Sequence, residues 1–191
     1  MRNSRIEKNK RNVSRGNRNL KTEIIMKVFL TLKHWQLFLI LYITAILFAV
    51  TIDSSYWILT FLLYDFTLVG WIYSIGKIAN NMNSKNKIEN YHENLWFILF
   101  YISFIPFGYF SHSKIPSNGL LMFASTLFGG FSAFKLINFS AKAVKQNEIN
   151  KELKFTDYLN EFLLIACIPI GIWIIQPKMN KIIKNKKTPN T

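Results

Sequence analysis

The chain has 191 residues, half of them apolar and 16% aromatic, with a formal charge of +14. Grease and charge occupy different stretches, since only Lys77 and Lys135 of the 24 Lys and Arg fall in or against the apolar runs. That separation excludes a soluble domain built on amphipathic stripes and predicts an all-α membrane protein, a bundle of about five transmembrane helices. A single cysteine, Cys167, excludes an internal disulfide framework, and three scattered histidines offer no zinc-ligand set.

Residues 1–25 are rich in Arg, Lys, Asn and Ser without an aromatic side chain, and predict a basic disordered tail. Met26-Lys27-Val28-Phe29-Leu30 reads as an alternative translation start, which would leave that tail untranslated. From Ile24 to Trp35 apolar and basic residues mix, as in a short helix lying in the headgroup layer, with Trp35 marking the interface.

The transmembrane helical domain is then expected over 26–175. A first span at 35–52 has about 18 residues, or about 27 Å of helix against about 30 Å of hydrocarbon. The turn through Asp53-Ser54-Ser55 is short enough to force an antiparallel hairpin with a second span at 56–75. A polar loop leads to a third span at 95–110, containing Pro106, and a loop with Lys114 leads to a fourth at 120–139. The fifth run, 158–175, is interrupted by Pro169 and Gly171, so it reads either as a fifth span or as a re-entrant segment after four. Residues 176–191 form a basic C-terminal tail. The excess of Lys and Arg before the first span and in the later loops places the N-terminus in the cytoplasm in either arrangement. Ile105-Pro106-Phe107-Gly108 and Ile168-Pro169-Ile170-Gly171 echo each other as a duplicated hairpin would, although the commonness of Pro and Gly in membrane helices is the simpler account.

Asp65 falls near the middle of the second span, where a charge costs about 2.5–3.5 kcal/mol even on the lenient insertion scale. It should face the bundle, protonated or partnered, and depth counting names Ser125 and Thr126 as hydroxyl partners. As a functional group it is a proton or cation site; as a structural one it fixes helix packing. Lys135 is the one embedded residue of opposite sign, close enough to the end of its span to snorkel and about 10 Å from the level of Asp65. Glu161 is expected as an interfacial acid on the side of Lys135. Ser125, Gly129 and Ala133 repeat at the small-xxx-small spacing that lets helix backbones approach, and form a packing face for another span or a second copy. The Pro-Gly interruptions read as kinks.

No metalloprotease, nucleophile-elbow or P-loop pattern occurs, and no cofactor or metal set is implied, so an enzyme is not expected. Nor is nucleic-acid binding, because the basic tail lacks stacking platforms; its charge suits anionic lipid headgroups or the topology itself. The stretch from Asp157-Tyr158-Leu159-Asn160-Glu161-Phe162 through Ile168-Pro169-Ile170-Gly171-Ile172-Trp173 to Gln176-Pro177-Lys178-Met179-Asn180-Lys181, with Leu32-Lys33-His34-Trp35-Gln36-Leu37-Phe38, resembles the ends of a group of small multi-pass bacterial membrane proteins of uncharacterised function. The resemblance implies a bacterial inner membrane and carries no functional residue. The leading expectation is a non-enzymatic membrane component acting by helix association, as a homo-oligomer or with another membrane protein; the alternative is a small transporter or channel with its site at Asp65.

Overall fold

The computed structural model describes residues 29, 31–83, 88, 92–112, 119–149 and 153–187, and of 104–112 and 185–187 the backbone only. The expected N-terminal tail, half of the headgroup-layer segment and the Lys114 loop lie outside the described residues. The rest is helical, with no strand among the described residues: α1 His34–Thr51, α2 Trp57–Met82, α3 Glu93–His112, α4 Gly119–Ile149, a 3-10 turn Phe155–Tyr158, α5 Leu159–Ala166 and α6 Ile168–Lys187. Among these residues α1, α2 and α4 are long and apolar enough to cross a membrane, and α5 with α6 would make a fourth such element if they formed one crossing.

α1 starts where the Lys33 backbone N–H donates to the Gln36 side chain at 2.9 Å, one of the orphan donors of a helix start. It ends in a tight turn, where the Thr51 and Thr60 hydroxyls lie 2.6 Å apart and lock α1 against α2. Both α2 and α4 outrun the apolar stretches from which spans at 56–75 and 120–139 are read, because their polar extensions still pack. Ala79, Ala141, Ala143 and Val144 are buried there, and Asn147 donates to the Ala79 carbonyl at 2.7 Å.

Two bonds fix the register of α2 and α4. Ser140 Oγ donates to the Ile72 carbonyl at 2.8 Å, and both this pair and Asn147–Ala79 are separated by 68 residues, so the helices run parallel. They approach closely at Gly76, where a Cβ would come within 2.8 Å of the Phe139 ring. α3 returns between them: Lys77 pairs with Glu93, and the Tyr73 and Phe97 ring centres are 4.8 Å apart. Trp71, Ile75, Leu136 and Phe139 form the fully buried centre.

The last segment is not one straight helix. α5 and α6 meet at Cys167 with a bend of 117°. α5 runs antiparallel to α4, with Tyr158 Oη donating to Asn138 Oδ1 at 2.9 Å and the Phe162 and Phe134 ring centres 5.3 Å apart. α6 runs parallel to α2, with Ile168, Pro169 and Ile172 beside Tyr64 and Leu68 and Gln176 beside Trp71. Both limbs therefore open toward the end of the bundle where α2 and α4 finish. The tight turn requires glycine, because a Cβ on Gly171 would fall on the Leu164 carbonyl oxygen. α3, by contrast, continues unbroken through the matching Ile105–Gly108 stretch, so the sequence echo has no common shape. α6 also continues through Pro177 and past the expected boundary at 175, making the first part of the basic tail helical.

Candidate functional site

Asp65 lies two turns into α2 and is 5% exposed. Its Oδ2 is fully enclosed and makes no hydrogen bond. The Tyr101 hydroxyl, on α3, is likewise enclosed without a partner. Buried polar atoms nearly always find partners, so both are exceptions among the described residues.

The hydroxyls expected beside Asp65 stand elsewhere. The register of 68 sets Asp65 level with Ala133, whereas Ser125 and Thr126 sit roughly 11 Å nearer the start of α4 at the helical rise. Both donate instead to the Met122 carbonyl of their own helix, at 3.0 and 2.9 Å. The depth count failed because it aligned the ends of the apolar runs, while the helices align through Ile72–Ser140. The same register brings Lys135 to within about 3 Å of the height of Asp65, rather than 10 Å. Its ammonium nevertheless lies over aromatic faces, 5.1 Å from the Phe131 ring centre and 5.9 Å from that of Trp96.

Glu161 is 2% exposed, and its ion-pair partners are Lys145 and Lys178. Its Oε1 accepts from Lys178 of α6 at 3.0 Å and from Lys145 of α4 at 3.2 Å. Glu148 binds the same two lysines at 2.8 and 3.2 Å, so four charges tie both limbs of the hairpin to α4. Glu161 Oε2 has no partner.

Gln176 and Trp71 were invisible to motif reading. The Gln176 amide is wholly buried; it accepts from Trp71 Nε1 at 2.9 Å and donates to the Phe29 and Leu32 carbonyls at 3.0 and 3.1 Å. Gln176 directly follows the apolar stretch Ile168–Ile175 and precedes Pro177 and Lys178, so nothing in the sequence sets it apart from the basic tail. Of the small-residue face, Gly129 is buried and Ala133 packs against the core within one copy of the chain, while Ser125 is half-buried. An apolar cavity of about 210 Å³ opens between α1, α2 and the start of α6, lined by Leu41, Tyr64 and Pro169 among others. Among the described residues no group of three or more His, Cys, Asp and Glu could hold a metal ion.

The structure thus defines an all-helical protein with three to four helices able to cross a membrane. No family model, curated protein or solved structure matches the chain.

Proposed function

We propose that this is a multi-pass membrane protein, of the bacterial inner membrane as the sequence resemblance implies, and that it acts as a small transporter or channel with a proton or cation site at Asp65. The observation that carries the reading is the enclosed, unpartnered Asp65 oxygen two turns into a helix long enough to cross. An acid held there with no ion pair among the described residues is costly, and function is the usual reason one persists. The Ser125-Gly129-Ala133 face that the association reading would use is partly taken up within one copy, since Gly129 is buried and Ala133 packs on the core.

The topology proposed with it has four crossings, α1 to α4, an N-terminus in the cytoplasm, and α5–α6 as a re-entrant hairpin entering from the cytoplasmic side. The directions of the two limbs and their bend of 117° support it. Charge supports it too, for every Lys and Arg except Lys114 and Lys135 then lies toward the cytoplasm. Anionic headgroups of that leaflet are the partners for the exposed basic residues.

Proteoliposomes of the wild type and of Asp65→Asn test the activity. Wild-type protein should conduct protons, Na⁺ or K⁺ down an imposed gradient, and Asp65→Asn should abolish the flux while melting at the same temperature. Flux that persists in the variant refutes the role of Asp65. For the topology, a reporter active only in the cytoplasm, fused at Thr191, should be active; activity only of an external reporter would establish five crossings.

A further inference from the structure

We propose that the cavity between α1, α2 and the start of α6 is a lipid site, which holds one acyl chain of an anionic phospholipid whose phosphate lies against Lys33 and His34. This rests on the membrane crossing proposed above and is independent of Asp65.

The lining selects hydrocarbon. After the bend of 117° the first turn of α6, with Ile168, Pro169 and Ile172, closes a space of about 210 Å³ against Leu41 of α1 and Leu68 of α2. The hydroxyls of Tyr42 and Tyr64 are the only polar side-chain atoms among its lining residues. A buried water needs two to four polar partners, whereas a dry apolar cavity of about 150 Å³ already takes a molecule the size of benzene. The space reaches the surface at Tyr42, which is 57% exposed on a helix apolar enough to cross a membrane. Lipid chains are the medium there. A helix of a second copy, about 10 Å across with its side chains, is too broad for a space of this volume.

The route from headgroup to cavity is also built. His34, Phe38, Tyr42 and Ala45 recur at i, i+4, i+8 and i+11 and so share one face of α1. Their rings form a continuous seam with α6: His34 and Phe38 both lie against Trp173, with ring centres 4.6 and 6.2 Å away, and Phe38 stacks on Tyr42 at 6.3 Å and 8° between planes. Lys33 is exposed at the head of that seam. Phe38 and Ala45, which line the cavity, lie about 8 and 18 Å from Lys33 along the helix axis. That interval is close to the depth of one leaflet, half of about 30 Å of hydrocarbon. A chain entering at Phe38 therefore leaves its phosphate at the level of Lys33 and His34, where positive charge favours an anionic headgroup.

Native mass spectrometry of the full chain, released from micelles doped equally with phosphatidylglycerol and phosphatidylcholine, tests this. The wild type should retain one phospholipid, with phosphatidylglycerol preferred about fivefold, the factor that one lysine near the surface supplies. Ala45→Phe and Leu68→Phe each put a ring into the cavity and should lose the lipid without melting lower; whichever folds carries the test. Ile46→Phe, a neighbouring change on the exposed face of α1, should keep it. Lys33→Gln, at an exposed position, should keep one lipid and lose the preference. Bare protein from the wild type overturns the proposal, as does a lipid that survives both ring insertions or an equal preference in wild type and Lys33→Gln. A lipid-free dimer that Ala45→Phe dissociates would give the cavity to a second copy instead. Recovery of the chain from cells without detergent would remove the membrane reading itself, whereas lipid loss alone removes only this site.

Discussion

Gln176 offers the most quantitative test of the packing, because its three bonds join α6, α2 and the segment before α1 in a wholly buried place. Gln176→Leu keeps the volume close and leaves the Trp71 N–H, a buried donor, without an acceptor, at a cost of about 1–3 kcal/mol. The two carbonyls it releases are only partly buried and add little. Trp71→Phe produces the mirror defect, an orphaned Gln176 Oε1, together with lost indole packing. With both changes neither orphan remains. The double variant should therefore be less damaged than the sum of the singles by about 1 kcal/mol, somewhat above the ~0.6 kcal/mol average for polar pairs between membrane helices. Unfolding in mixed micelles of rising denaturing-detergent fraction, followed by circular dichroism, gives all four free energies. Additivity within about 0.3–0.5 kcal/mol would refute the bond as the coupling between the hairpin and the bundle.

Gly171→Ala forces a methyl onto the Leu164 carbonyl and should open the hairpin and lower the melting temperature; an unchanged melting temperature would refute the tight turn. Gly76→Val should push α2 off Phe139 and destabilise by roughly 1–3 kcal/mol in the same detergent titration, whereas a neutral result would place the helix crossing elsewhere. Glu161→Leu removes an acid that holds Lys145 and Lys178, but Glu148 still binds both, so the loss should be only about 1 kcal/mol; a loss above 3 kcal/mol would mean that Glu148 does not compensate. Gly129→Leu should destabilise the single chain rather than change its oligomeric state, and crosslinking that falls at constant melting temperature would restore the association reading.

Hydropathy finds apolar length well and polar helix poorly. α1 and α3 match their expected spans to within about two residues, because polar turns bound them on both sides. α2 and α4 continue beyond residues 75 and 139 since Ala79, Ala141 and Val144 still find a core, and no apolar run announces that. The fifth run was legible as interrupted but not as bent, for Pro169 and Gly171 permit a kink as readily as a reversal. What decides between them is the clash at Leu164 and the pairing of Glu161 with Lys178 across the turn, both of which exist only in three dimensions. Tyr101 was hidden among neighbouring aromatics for the same reason.

The two buried acids illustrate why depth in the sequence is a weak guide to role. Glu161, near the edge of an apolar run, has two lysines on one oxygen and serves to hold the hairpin to α4. Asp65, near the middle of another, is level with Lys135 yet the ammonium is drawn to aromatic faces instead. Had evolution needed only a packing contact between α2 and α4, the parallel register already provides one in Ser140–Ile72, and a neutral residue at 65 would avoid the desolvation of an acid. An acid kept at that place with no ion pair among the described residues is what makes the Asp65→Asn flux comparison the sharpest test of the proposed site.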